Sequence, residues 1–277
     1  LDELKERLDR LYREQAPAYL KDPAACLDHA WPLAFAHTPQ AADEFLAQWQ
    51  AGPLQPEEKS RALALVHSQI MAAFMFTSCG WFFDDVSGLE PRQVLMYAAR
   101  AMELVRFLGL EEGLEQGLLA HLDRATGNLP EWQDGAKVYR DRVLTARYSA
   151  PALAAHQALV CLAGGERAVA PAVLKQQCLA LPKRAGGAVL AGVALYLAGS
   201  GELLHYCLLA GWESPGKPLC LAALFGQEPD LAHEQNELSA AAPGGTLAEL
   251  TAAFEARHGR VTRIGPGDLR PDALHDI

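Results

Sequence analysis

The stretch PEEKSRALALVHSQIMAAFMF, residues 56–76, indicates a long helix in the first half of the chain. Pro56 suits the first helical position, and Glu57 and Glu58 lie where the helix dipole favours negative charge. A similar segment, PRQVLMYAARAMELVRFLGL, runs from residue 91 to residue 110 with one apolar stripe at helical spacing. Short connections between such helices favour antiparallel packing, so this part of the chain predicts a helical domain.

After Gly164 the helical periodicity gives way to short apolar runs separated by turn residues. Such runs predict three or four antiparallel strands, then a polar linker over residues 227–245 and a last helix that opens at Thr246. The predicted fold class is therefore α+β. A mainly α-helical domain occupies residues 1–165, and a small antiparallel β-sheet unit with a terminal helix occupies residues 166–277. The runs are QCLALPKRA at 177–185, AVLAGVALYLAG at 188–199, ELLHYCLLAGW at 202–212 and KPLCLAALFG at 217–226.

The composition and net charge of the chain exclude some classes of function. The chain has 277 residues, half of them hydrophobic, and 34 acids against 24 bases give a net charge of −10. Binding a phosphate backbone requires a basic face, so nucleic acid is excluded as the main ligand. No apolar run reaches the roughly 20 residues that a membrane helix needs, and the charged N-terminal segment is unlike a secretory signal. We therefore expect a cytoplasmic protein with no membrane partner.

The six cysteines and nine histidines do not follow a metal-ligand spacing. No two cysteines lie in a C-x-x-C pattern, and no H-x-x-x-H pair is present. We predict isolated buried thiols, with a reactive Cys79 as the alternative. We expect no metal and no cofactor.

The most unusual stretch is MFTSCGWFFDDVSG, residues 75–88. Three consecutive aromatic residues cannot all face one core, because neighbouring helical residues point about 100° apart. At least one ring should therefore reach the surface. One interpretation is core packing at a helix end. The other is an aromatic platform on which a flat sugar ring stacks while polar groups hydrogen-bond to it. The candidate substrate-binding residues are Ser78, Trp81, Phe82, Phe83, Asp84 and Asp85.

Asp84 and Asp85 do not form a convincing glycosidase pair. The two catalytic carboxyls of a glycosidase face each other across the scissile bond, whereas adjacent residues project in different directions. A solvated or capping role is favoured for this doublet. We identify no catalytic residues in the chain, and whether it is itself an enzyme stays open.

The run TSCGWFFDD at 77–85, with the VLMYAARA helix at 94–101, resembles a region of bacterial proteins similar to glycoside hydrolase family 57. The region is known as domain of unknown function 3536. KVYRDRV at 137–143 and AAHQAL at 154–159 extend the likeness, while residues 191–211 and GDLRPD near the C-terminus fit more loosely. The resemblance implies a modular protein in which a helical region packs over the cleft of an N-terminal (β/α) barrel. The catalytic acids would lie on that barrel, and this chain would be a fragment of the longer protein.

The family carries a Ser-Ser-Asp-Trp-like motif whose Trp lines the substrate cleft, and Ser78 and Trp81 match it. Cys79 departs from the motif, and Gly80 occupies the position of the family's Asp, so Asp84 or Asp85 would have to supply that carboxylate. The resemblance implies an accessory region that caps the barrel and binds an α-glucan or related oligo- or polysaccharide through Trp81. The parent protein would be a hydrolase or transglycosidase.

The alternative is a non-catalytic scaffold or interaction domain whose aromatic run only packs against another domain. A surface built to face a barrel is apolar, so an exposed apolar patch near Trp81 would support such a barrel-facing surface. Trp81 at a concave surface with Ser78 and Asp84 nearby would favour sugar binding, whereas Trp81 fully packed under helices would favour the scaffold. A self-contained enzyme is disfavoured, because the chain offers no credible acid pair or nucleophile–base arrangement.

Overall fold

Two units make up the chain in a computed structural model that describes residues 1–82, 85–110, 112–165, 167–168, 170, 172–181, 187–214 and 216–269. The first, Leu1–Arg147 with Ala198–Glu202, is called the helical unit. Its helices are α1 Asp2–Gln15, α2 Pro23–Asp28, α3 Trp31–Phe35, α4 Pro39–Trp49, α5 Pro56–Phe74, α6 Leu89–Phe107, α7 Leu114–Leu122 and α8 Gly135–Val138, which a π-helical turn continues at Tyr139–Val143.

The long helices α5 and α6 pack on each other and, together with α1, α7 and α8, enclose the core of the helical unit. α5 begins at Pro56, and the Glu58 carboxylate accepts a hydrogen bond from the Gln55 backbone N–H at 2.8 Å, which completes a capping box. The predicted helices over 56–76 and 91–110 are thus confirmed, with small shifts at their ends. Buried side chains that form this core include Leu8, Met75, Leu95, Met102, Leu118 and Tyr139.

The second unit, Tyr148–Leu197 with Leu203–Ile277, is called the sheet unit. Its strands form one antiparallel sheet in the order in which they occur along the chain. The elements are α9 Ala150–Leu162, β1 Val173–Ala180, β2 Val189–Leu197, β3 Glu202–Ser214, β4 Lys217–Phe225, α10 Leu231–Ala241, α11 Leu247–His258 and β5 Thr262–Ile264.

Both faces of the sheet are covered by helices. Leu195 and Leu208 pack with α9 on one face, whereas Leu190 and Leu209 pack with α10 and α11 on the other. Because neither face meets water, the central strands carry nearly continuous apolar runs rather than an alternating pattern. This is why β2 reads VLAGVALYL with almost every side chain buried.

The predicted α+β class is confirmed: a mainly helical N-terminal part is followed by an antiparallel sheet and C-terminal helices. The predicted linker over residues 227–245 is wrong, because it contains α10, which the Asp230 side chain caps. Within the described residues the sheet has five strands, whereas the sequence predicts three or four; the strand β5 follows α11. The domain boundary predicted between residues 165 and 166 stays a prediction. In the two units described here, α9 groups with the sheet.

The cysteines also differ from the prediction of isolated thiols. Cys161 and Cys178 form a disulfide within the sheet unit, with Cα atoms 6.4 Å apart. Cys26, Cys207 and Cys220 are buried free thiols, as predicted, and Cys79 is an exposed one.

None of the helices in the described residues combines the length and the apolar character that a membrane crossing requires.

Candidate functional site

The aromatic loop, residues 75–88, joins α5 to α6 and contains all of the predicted binding residues. α5 ends at Phe74, and the chain reverses through a short 3₁₀ turn at Ser78–Trp81. The Thr77 hydroxyl donates to the Phe74 carbonyl at 3.1 Å, and the Gly80 N–H donates to the Thr77 carbonyl at 3.1 Å. The turn presents Ser78 and Cys79 to solvent beside Trp81.

Two contacts hold the Trp81 ring in place. The indole Nε1–H donates a hydrogen bond to the Met75 carbonyl oxygen at 3.1 Å. The ring also stacks on Phe76, with centroids 6.0 Å apart and ring planes 7° from parallel. Trp81 is nevertheless 56% exposed. The prediction that at least one ring of the aromatic run reaches the surface is confirmed.

Phe82 is 82% exposed, the most exposed of the large hydrophobic side chains in the described residues. Phe83 and Asp84, the next two predicted binding residues, lie outside the described residues. The turn therefore brings Ser78, Trp81 and Phe82 together on one exposed segment. Their role in binding a ligand stays a prediction.

The Asp85 carboxylate accepts hydrogen bonds from its own chain. The Ser87 backbone N–H donates to it at 3.0 Å, and the Ser87 hydroxyl donates to it at 2.9 Å. The Asn128 backbone N–H is a third donor. The two bonds from Ser87, and then the bond from Asn128, hold the pKa of Asp85 below its usual value. Asp85 thus orders the turn that leads into α6, whose N-cap residue is Gly88. The solvated or capping role expected for the acid doublet stays a prediction.

Gly80 fits closely against α6. A Cβ atom at this position would lie 2.1 Å from the Val94 Cγ2 atom and 3.5 Å from the Glu90 carbonyl oxygen. Only glycine therefore fits here without a shift of the loop. A larger side chain at this position would meet α6 at Val94.

A second segment flanks the aromatic loop. Residues 126–134 fold into a tight hairpin in which Thr126 bridges Asp134, and the Asn128 N–H joins this hairpin to Asp85. The sequence analysis did not identify this hairpin. The run TGNLPEW at 126–132 is rich in turn residues, and this signal predicts a turn although it does not reveal the neighbouring loop.

Trp132 anchors the far end of the hairpin. The Lys137 ammonium lies 5.7 Å from the ring centroid, and the Arg142 guanidinium lies 4.6 Å from it. Both distances suit cation–π attraction. Leu129, near the tip of the hairpin, is exposed.

The site offers exposed ring faces and small polar groups. Within the described ranges, no group of three or more His, Cys, Asp or Glu side chains is arranged to hold a metal ion. Such a site suits binding by stacking and hydrogen bonding. A second exposed aromatic pair in the helical unit, which the sequence does not predict, consists of Trp31 and Phe35 on α3, with ring centroids 6.5 Å apart.

Comparison with known proteins gives one family match. A family model described as "Domain of unknown function (DUF3536)" matches residues 1–180, which include α1 to α9 and β1. No curated protein and no solved structure matches the chain.

Proposed function

The chain belongs to the family of the domain of unknown function DUF3536, and from this premise we propose that it is a carbohydrate-binding accessory region of a glycoside hydrolase family 57-like protein. The proposed ligand is an α-glucan or a related oligo- or polysaccharide. The proposed partner is an N-terminal (β/α) barrel of the parent protein, a hydrolase or transglycosidase that supplies the catalytic carboxylates. The family 57 link rests on the sequence resemblance at residues 77–85.

The geometry of Trp81 is the observation that carries this proposal. Its ring is exposed, yet the Met75 carbonyl and the Phe76 ring already fix its orientation. A fixed ring loses little conformational entropy when a ligand binds, so more of the stacking energy contributes to affinity. The C–H groups of a pyranose ring pack well against an indole face, while its hydroxyls need polar partners at the edge.

The neighbours of Trp81 add what a sugar requires. Ser78 lies in the same 3₁₀ turn, and its exposed hydroxyl is able to donate to or accept from a sugar hydroxyl. Phe82 supplies a second exposed ring. In this proposal Trp81 stacks the sugar, Ser78 fixes its rotation, and Phe82 extends the platform, while Asp85 holds the loop in shape. The chain contributes binding and water exclusion, and cleavage of the glycosidic bond belongs to the barrel.

Calorimetry with maltoheptaose tests the proposal on the full chain. We expect the wild type to bind and Trp81→Ala to raise the Kd about tenfold or more, since tenfold corresponds to about 1.4 kcal/mol, a contribution within the range of one aromatic contact. Trp31→Ala is the matched control, because Trp31 is another exposed indole, on α3 and outside the aromatic loop. It should leave the Kd unchanged. Equal affinity of the wild type and Trp81→Ala would contradict the proposal.

A docking face for another domain is the second candidate, and exposed aliphatic side chains favour it. Leu89 begins α6 directly after the aromatic loop, Leu129 lies on the flanking hairpin, and both are exposed. Aliphatic groups of this kind are typical of protein interfaces. Glucan binding that survives Leu89→Ser but fails in Trp81→Ala would support stacking. A wild-type chain that binds neither maltoheptaose nor glycogen would favour docking.

A further inference from the structure

The edge strand β1 buries little of its side-chain surface, so burial contributes little to holding it in the sheet. The side chains of β1 are exposed or half-buried along its whole length, whereas those of β2 are almost all buried. β1 ends the strand order and hydrogen-bonds to β2 along one side. Since apolar burial is the main favourable contribution to packing, the attachment of β1 depends on its hydrogen bonds and on specific ties to its neighbours.

Side-chain ties connect β1 to the elements on both faces of the sheet. On the α9 side, the Gln157 amide donates to the Gln176 side-chain oxygen. On the α10 side, Gln235 donates to the Ala180 carbonyl at 2.9 Å. Lys175 pairs with Glu228 across exposed positions, and such surface pairs contribute little.

The Cys161–Cys178 disulfide is the covalent tie. Cys161 lies in the last turn of α9, Cys178 lies near the C-terminal end of β1, and the bond closes a loop with a sequence separation of 17 residues. Both cysteines are half-buried, so neither residue is fully enclosed by the core. A disulfide of this kind joins a weakly packed strand to a firmly packed helix, because α9 buries most of its side chains.

We propose that Cys161 and Cys178 form a reversible thiol switch that fastens and releases the edge strand β1. In the oxidised state the bond holds β1 against α9. In the reduced state β1 keeps its hydrogen bonds to β2 but opens far more often. Each opening bares the backbone edge of β2, whose sequence VLAGVALYL is nearly all apolar. An exposed apolar edge of this kind is a template for pairing with another strand.

The chemistry balances with a small thiol such as glutathione. Its thiolate attacks one sulfur, the Cys161–Cys178 bond breaks, and a mixed disulfide forms together with one free cysteine thiolate. A second glutathione thiolate then attacks the mixed disulfide and leaves as oxidised glutathione. Two electrons pass from glutathione to the protein, and two protons complete the two cysteine thiols. Oxidised glutathione reverses the sequence.

Hydrogen–deuterium exchange on the full chain, with and without reduced glutathione, tests the switch. After reduction, β1 amides should exchange about tenfold or more faster, while amides of β4 and α11 should not change. The Cys161→Ser/Cys178→Ser variant should show fast β1 exchange in both conditions. Cys79→Ser removes the exposed thiol and should respond as the wild type does.

Alkylation with iodoacetamide gives an independent measurement, and it needs only the wild type if the double variant fails to fold. Without reductant, Cys79 should be labelled while Cys161 and Cys178 resist, and reduction should make both accessible. Labelling of Cys161 and Cys178 in air-oxidised protein would overturn the proposal. Slow β1 exchange that reduction leaves unchanged would also overturn it.

Discussion

The sheet unit buries most of its large apolar side chains, whereas the aromatic loop exposes Trp81 and Phe82. In the sheet, Leu195 and Leu208 are fully buried because helices cover both faces. In the loop, Trp81 and Phe82 face solvent although a buried core lies directly behind them, at Met75. Exposed single apolar residues are common, but an exposed ring that is oriented by a hydrogen bond and a stack is not explained by a lack of core. This difference supports the proposal that the loop contacts another molecule.

The two regions also depend on different forces. The sheet is stabilised by the summed burial of many side chains, whereas the loop is shaped by a few directed contacts. These are the bond from Trp81 to Met75, the bonds that Asp85 accepts, and the fit of Gly80 against Val94. Substitutions that remove buried apolar volume should therefore destabilise mainly the sheet. Substitutions that break one of these directed contacts should change mainly the conformation of the loop.

The largest effect is expected in the sheet core. Leu195→Ala removes a fully buried side chain from β2 and leaves a cavity against α9, so it should lower the free energy of unfolding by about 2–5 kcal/mol. Urea unfolding followed by circular dichroism measures this. Leu224→Ala on β4 is the matched control, because Leu224 is 60% exposed and should change stability by less than about 0.5 kcal/mol. An equal loss of unfolding free energy in the two variants would contradict the expectation that burial decides how much each leucine stabilises the sheet.

A buried histidine, His67, gives the helical unit a strong pH dependence of stability. Burial, and then the positive charges of Arg100 and His37, lower the pKa of His67 from 6.5 to about 4. Between those values the unfolded chain binds a proton that the folded chain excludes. Stability should therefore rise with pH across this window and be lost as pH falls through it, by up to about 3 kcal/mol.

His67→Gln isolates this contribution, because glutamine does not titrate. The difference in unfolding free energy between the wild type and the variant should change steadily between pH 6.5 and pH 4, the window set by the pKa shift. At neutral pH the two proteins should differ only through packing. A difference that stays constant with pH would show that folding does not lower the pKa of His67.

The sequence predicts the parts of the fold that depend on local pattern. The apolar stripe of α6 and the capped start of α5 give both helices close to their observed bounds. α10 escapes prediction because LAHEQNELSAA is polar and small, and its helical state depends on Leu231 and Leu238 packing on the sheet. The disulfide escapes prediction because a separation of 17 residues does not reveal that α9 lies against β1.

The candidate site also has features that the sequence predicts and features that depend on tertiary contacts. The chemistry of three consecutive aromatic residues predicts an exposed ring, and Trp81 and Phe82 are exposed. The supporting contacts are not readable from the sequence. Asp85 bonds to Asn128, more than forty positions away, and Gly80 meets Val94 on the next helix. Such tertiary contacts decide which side chains remain available to a ligand.

A smaller effect on stability, with a large effect on the site, is expected at Gly80. Gly80→Ala places a Cβ atom 2.1 Å from Val94 Cγ2, so the 3₁₀ turn has to move away from α6. Overpacking of this kind costs about 1–3 kcal/mol. The shift should also tilt the Trp81 ring away from Phe76 and weaken maltoheptaose binding severalfold. Gly52→Ala is the matched control, because no heavy atom lies within 4 Å of a Cβ atom at that position.

The double variant Gly80→Ala/Val94→Ala separates geometry from stability. Val94→Ala removes the Cγ2 atom that blocks position 80, so the turn should return to its place against α6 and maltoheptaose affinity should recover. Stability should not recover, because Val94 is buried and its loss leaves a cavity. Recovered affinity without recovered stability would show that the loop works through its geometry. Affinity that follows stability in all three variants would instead mean that the loop and the core are stabilised together, and the contrast between the two regions would fail.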